Sequence, residues 1–324
     1  MATVEQGAKT VVQNWLRIRE GEKLTILTDE HCHRQAEVIK DEALKAKAEV
    51  KLLSVPTGRG HAGAILEQDP FSAAIDWSET IVGASTYSML TARKIRDAAA
   101  SGKRYLSLPL SGKDGAPTLH RDFMQMPTEE AAEMAKVLLS RIRGKKRIHV
   151  TTPAGTDLHL SIEGRTAGAF TGDFSTGDPC ESSCFEVYIS PREDQTHGIM
   201  VVDASLGYIG APQKPLAIKF LDGKIIEIEN SEEGAVLKDF LGTFSDDKML
   251  IAAEFGMGLN TCGVCNGDCY IEDESAYGTF HIGIGRNLTL GGENDAAGHN
   301  DLVCFHPTIW FDEELVYQDG KIVF

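Results

Sequence analysis

The chain has 324 residues with 42% hydrophobic and 25% charged side chains, a soluble globular composition, and it is long enough for two cores rather than one. Its net charge of −16, from 48 acidic against 32 basic residues, argues against a nucleic-acid partner, which needs a basic surface to neutralise phosphates. No apolar run of about 18 residues exists to cross a membrane, and the opening MATVEQGAKTVVQNWL has no apolar signal core.

Seven cysteines, an odd number without an export signal, lead us to expect a reduced cytoplasmic protein. Residues 2–20 have helical spacing through Val4, Ala8, Val11, Val12, Trp15 and Leu16. LTILT at 24–28, a helical stretch from His33 to Lys47, and VKLLSV at 50–55 form a strand–helix–strand unit. IVGAS at 81–85 and RYLSLPL at 104–110 add buried strands, with a helix at 91–100 between them. The N-terminal part therefore reads as an α/β domain with a mostly parallel sheet. GRGHAG at 58–63 lacks the GxGxxG spacing of a dinucleotide loop, so nucleotide binding is not expected there.

A helix from Thr128 to Arg143 ends at Gly144, and the domain boundary is expected near 145, giving an α/β domain over 1–145 and a β-rich α+β domain over 146–324. Beyond it come short strand-like runs: RIHVTTP, DLHLSI, FEVYISP, GIMVVDAS, KMLIAAEFG and TFHIGIG. LDGK and QDGK carry Asp-Gly, the strongest two-residue hairpin signal. One helix is expected near Glu232 to Leu241.

The chemistry concentrates in YGTFHIGIGRNLTLGGENDAAGHNDLV at 277–303. In an extended strand residues i and i+2 share a face, so His299 and Asp301 present an imidazole and a carboxylate together. His281 lies at the right distance to join them from a neighbouring strand. Glu186 and Glu254 each sit in an otherwise apolar strand, and burying a carboxylate costs several kcal/mol unless it is paired. Three carboxylates and two imidazoles suit Zn, Co or Mn, and suffice for two ions about 3.5–4 Å apart.

Several of these stretches resemble the metallo-aminopeptidases typified by aminopeptidases T and S: FEVYISP, AEFGMGLN, IEDESAYGTFHIGIG and GGENDAAGHNDLV, over roughly 148–303. The resemblance implies that Glu186, Glu254, His281, His299 and Asp301 are the metal ligands, with Glu186 or Glu254 as general base. It also implies a homodimer acting on a peptide or other small molecule. The chain departs from that family at Leu288, where the family has a tyrosine, in a shorter first domain, and in the insertion TCGVCNGDC at 261–269.

The same region resembles the 2,5-dihydroxypyridine dioxygenases, for which His281, His299 and Asp301 match the two-histidine, one-carboxylate set of a single Fe(II). That resemblance implies no acids at Glu186 and Glu254, and this chain has both. The expectation is therefore a two-metal, aminopeptidase-like hydrolase, with the iron dioxygenase as the alternative. Cys180, Cys184, Cys262, Cys265 and Cys269 read as free thiols near the site ahead of a separate structural zinc. The remaining histidines are left out of the site, with His197 noted as a substrate contact to watch.

Overall fold

The computed structural model describes residues 2–57, 62–90, 92–174 and 179–323. The stretch 58–61 of GRGHAG lies outside these. The chain is a mixed α/β protein that divides into two compact units, one formed by Met1–Glu129 with Phe170–Cys184, the other by Glu130–Ala169 with Phe185–Phe324.

In the first unit five strands make one parallel sheet, in the order Glu49–Ser54, Lys23–Thr28, Thr80–Ala84, Arg104–Ser107, Cys180–Ser182. Its central strands are buried runs of Leu24, Ile26, Ile81, Val82 and Leu106, as a parallel sheet covered on both faces requires. The helix His33–Lys45 follows the first strand. Its N-terminus is held by Asp29, whose Oδ1 accepts the amides of His31 and Cys32 and whose Oδ2 accepts that of Thr86. The N-terminal segment is α-helical over Val4–Lys9 and continues as a π-helix over Thr10–Trp15, burying Val11, Val12, Trp15 and Leu16.

The second unit holds two sheets. Eight strands form an antiparallel sheet in the order Lys224–Ile228, Leu216–Leu221, Thr196–Val202, Asp157–Ser161, Arg147–Thr151, Thr308–Phe311, Glu314–Gln318, Lys321–Ile322. Both Asp-Gly pairs close hairpins in it. Asp222 and Gly223 have φ of 49° and 74°, and Asp319 and Gly320 have 48° and 73°, the doubly left-handed backbone that matches strand twist. The helix Glu232–Gly242 starts where the Ser231 hydroxyl accepts the Gly234 amide.

The other sheet orders His299–Phe305, Thr279–Gly285, Ala252–Gly258, Glu186–Ile189 and Gly168–Phe170. Its two central strands are buried at every position. One face is apolar, with Phe255 stacked on Phe280 at 5.7 Å and with Met257, Ile282 and Leu302 fully buried. The alternation of side chains then sends Glu254, His281, His299 and Asp301 to the opposite face.

Candidate metal centre

Register explains how this sheet makes room for five polar side chains. Glu186 pairs across the ladder with Gly258, His281 with Gly256, Glu254 and Asp301 both with Gly283, and His299 with Gly285. Every polar side chain thus faces a glycine on a neighbouring strand. The vacated volume is filled by the cluster itself. A Cβ on Gly283 would stand 2.7 Å from His299 Nε2 and 2.8 Å from Asp301 Oδ1.

All five residues selected from the sequence meet here. His281 Nε2 lies 2.9 Å from Glu186 Oε2 and 4.0 Å from Asp301 Oδ1. His299 Nε2 lies 3.0 Å from Glu254 Oε2 and 3.1 Å from Asp301 Oδ1. The donor atoms fall into two groups that share Glu254: Glu186, Glu254 and His281, and Glu254, His299 and Asp301, each with its atoms within 4.8 Å of one another. Two donors on one ion, with bonds of about 2.1 Å, stand about 3–4 Å apart, so the observed separations fit a shared cation.

Two further residues, absent from the sequence-derived set, complete the centre. The short helix Tyr270–Ser275 lies in the segment between Glu254 and His281. From it the Tyr270 hydroxyl donates to Asp301 Oδ2, and Tyr208 stacks on the Tyr270 ring at 3.9 Å. Glu274 hydrogen-bonds Asp301 as well. Looking for an aromatic hydroxyl after His281, where Leu288 stands, missed Tyr270 because it enters from the upstream side. Its signal was the apolar-flanked acidic run CYIEDES.

The electrostatics follow from burial and crowding. Burial, reinforced by Glu186, pushes the Glu254 carboxyl up to about 7 against the pull of His299. Burial works against the His281 imidazolium, but the hydrogen bond and charge of Glu186, helped by Asp301 and Glu254, keep its proton up to about 9. His299 is held well above the usual imidazole range by Asp301 and Glu254, again against burial. Burial would raise Asp301, yet His299 and His281 pull it well below the usual carboxylate range. Burial and the charges of Asp301 and Glu186 drive Glu274 far upward, so it is a protonated donor. The cluster without metal is a proton-filled site.

Its donors fit a divalent ion. Glu254 Oε1 is buried with no hydrogen-bond partner among the described residues, an open lone pair for a metal or an incoming proton. His299 Nδ1 donates to the Arg286 carbonyl at 2.7 Å, which turns the Nε2 lone pair inward.

Other residues noted in the sequence lie outside this cluster. His197 is not part of the cluster; it sits on the eight-stranded sheet, paired with His159. None of the seven cysteines is in a disulfide, and among the described residues none joins a group of three metal-competent donors. Among those residues no helix is long and apolar enough to cross a membrane.

A largely buried set of imidazoles and carboxylates on a β-sheet defines a candidate divalent-metal enzyme, and comparison with known proteins narrows the class. The chain belongs to the 2,5-dihydroxypyridine 5,6-dioxygenase (NicX) family, whose model matches residues 10–324. Its fold is similar to that of 2,5-dihydroxypyridine dioxygenase from Pseudomonas putida KT2440, with a TM-score of 0.81 at 18% identity over 100% of this chain and 98% of that one. It is also similar, more weakly, to wild-type AmpT from Thermus thermophilus, with a TM-score of 0.66 at 14% identity over 99% of both chains. No curated protein sequence matches it.

These findings correct the hydrolase expectation: the family is that of a dioxygenase, and the aminopeptidase, proteolysis and metalloprotease readings fall. The error came from treating Glu186 and Glu254 as diagnostic of peptide hydrolysis. A carboxylate-rich donor set specifies a hard or borderline divalent ion and leaves the reaction open. This chain holds both acids and belongs to the dioxygenase family.

Proposed function

We propose that the protein is a non-haem Fe(II) ring-cleaving dioxygenase acting on a dihydroxypyridine-like substrate. The observation that carries this reading is the donor set of buried His281 and Asp301 with partly buried His299, in which Asp301 Oδ1 lies 4.0 Å and 3.1 Å from the two imidazole Nε2 atoms, within a chain that matches the dioxygenase family over residues 10–324. Two imidazoles and one carboxylate are the ligand set of non-haem Fe(II) oxygenases. In this reading those three residues hold one iron.

When bound, the iron supplies the one-electron chemistry that dioxygen needs to react with a closed-shell ring. The remaining work falls to this chain's own groups. Glu254, raised to about 7 in the metal-free protein, is placed 3.0 Å from His299 to take the proton of a substrate hydroxyl through its Oε1. Glu186 Oε2, 2.9 Å from the His281 Nε2 that the iron would take, stands beside that ligand as a neighbouring negative charge. Tyr270 and protonated Glu274 fix the Asp301 carboxylate by donating to it. The apolar face behind the sheet keeps bulk water away, which strengthens each of these interactions.

The test is metal content and turnover together. Protein purified without added metal should carry iron, consume oxygen with 2,5-dihydroxypyridine and bleach the ring absorbance. Activity removed by a chelator should return with Fe(II) and not with Zn(II). Oxygen-independent turnover, or full restoration by Zn(II), defeats the reading.

A further inference from the structure

The eight-stranded sheet carries a second group of metal-competent side chains, separate from the buried centre. His149, on the strand Arg147–Thr151, pairs directly with His159 on the strand Asp157–Ser161. Asp157 precedes His159 by two residues and so shares its face. It is the same alternate-residue spacing that joins His299 to Asp301. The His149 and His159 rings stack at 4.2 Å and 9°, and both turn Nε2 toward one oxygen, Asp157 Oδ1, at 2.9 Å and 3.5 Å. All three donor atoms lie within 4.8 Å of one another.

The surroundings favour a cation. The group opens into a groove of about 500 Å³ whose lining includes Trp310, Asp312 and Glu313. Arg147, the one basic side chain there besides histidine, lies 3.9 Å from Glu313, and this pairing blunts its repulsion. Trp310 pairs across the sheet with His149 and stacks on it at 4.9 Å and 20°, which restrains the ring. His197 also lines the groove but is an unsuitable donor. Its Nδ1 accepts the Asp222 amide at 3.3 Å, which leaves the proton of the neutral ring on Nε2.

We infer that His149, Asp157 and His159 form a surface site for a divalent transition-metal ion of the imidazole-preferring class: Zn(II), Ni(II) or Cu(II). Two cross-strand imidazoles and one carboxylate supply three donors on a rigid sheet, so little ordering entropy opposes binding. The side chains of Asp157 and His159 are 65% and 62% exposed, so water completes the coordination. An entering ion displaces the two imidazole–Asp157 hydrogen bonds and takes up the same three atoms, with the exposed His159 ring swinging out of the stack so that both lone pairs meet the ion. The inference is independent of the reaction at the buried centre.

Cu(II) chloride is the probe, because a paramagnetic ion on His149 quenches the indole stacked against it. The chain has three tryptophans, Trp15, Trp77 and Trp310, and only the last touches this site. Titration of the iron-loaded protein should quench one fluorescence component saturably at one Cu(II) per chain, and Zn(II) should compete. That component should vanish in Trp310→Phe. In His159→Gln and in Asp157→Asn, which leave the Trp310–His149 stack in place, affinity should drop by at least about tenfold with the thermal midpoint of the metal-free protein unchanged. Quenching that never saturates, or that is the same in wild type, His159→Gln and Asp157→Asn, overturns the site.

Discussion

Gly256 stands directly across the ladder from His281, and a Cβ placed on it would lie 2.0 Å from the imidazole Nε2 and 2.8 Å from Glu186 Oε2. The absent side chain is what allows two polar groups to meet inside a sheet buried on both faces. Gly256→Ala should therefore leave the strand intact while forcing His281 aside. Overpacking of this kind costs about 1–3 kcal/mol, and displacing a ligand should weaken metal binding by roughly 10–100-fold or more. Iron per chain and the thermal midpoint, measured on the same sample, check both parts. A variant that retains full iron would show that the cluster does not need this space.

The protonation of the metal-free cluster sets a pH dependence whose sign can be worked out. His281 is raised from 6.5 to about 9, so its stabilising contribution is complete below 6.5 and is lost as pH rises through 9. Glu254 is raised from 4.5 to about 7, so the penalty for ionising it in the interior is absent below 4.5 and complete above 7. Both slopes run the same way. Chelated protein should lose stability steadily between pH 5 and pH 9, as followed by thermal denaturation. Asp301, depressed by its histidines, opposes this only at the acid end. Iron must displace these protons, so its affinity should rise over the same range with measurable proton release. An affinity flat with pH would contradict the assignment of His281 and His299 as ligands.

The positions that carry polar function in an apolar strand were legible in the sequence, because an acid or imidazole flanked by Ala, Phe, Ile and Gly has few satisfactory environments. His299 and Asp301 showed their common face through spacing alone. The parallel sheet was legible through its apolar runs, but its fifth strand, Cys180–Ser182, was not: three residues with a glutamate at the centre carry no periodic signal. The helix Tyr270–Ser275 escaped for a similar reason, since six residues beside a cysteine-rich loop cannot display a helical stripe. The reaction was illegible on physical grounds. Donor atoms dictate which ions bind, and the chemistry then depends on which metal and substrate arrive.

Tyr270 donates its hydroxyl to Asp301 Oδ2 from a buried position and is stacked against Tyr208. Tyr270→Phe removes that donor and keeps the ring packing. Loss of an orienting partner of a metal ligand typically costs 10–100-fold in affinity or activity, and the change here should fall within about that range. Equilibrium dialysis against Fe(II), alongside oxygen consumption, separates the two contributions. If neither changes, the hydroxyl is only filling space and Asp301 is held without it.

Glu186 discriminates between one ion and two. It belongs to the donor group with Glu254 and His281, while Glu254, His299 and Asp301 form the other. In the single-iron reading Glu186 is not a ligand: its Oε2 stands 2.9 Å from the His281 Nε2 that the iron would take, and Gln keeps the shape while removing the charge. Glu186→Gln should then keep one iron per chain and lower the rate by about 10–100-fold, the range for a group next to the ligands that tunes the metal. If Glu186 instead held a second ion, wild type would carry two metals per chain and the variant one. Elemental analysis of both proteins, purified side by side without added metal, decides the matter. A fall in metal count from two to one would replace the single-iron centre with a two-metal one bridged by Glu254.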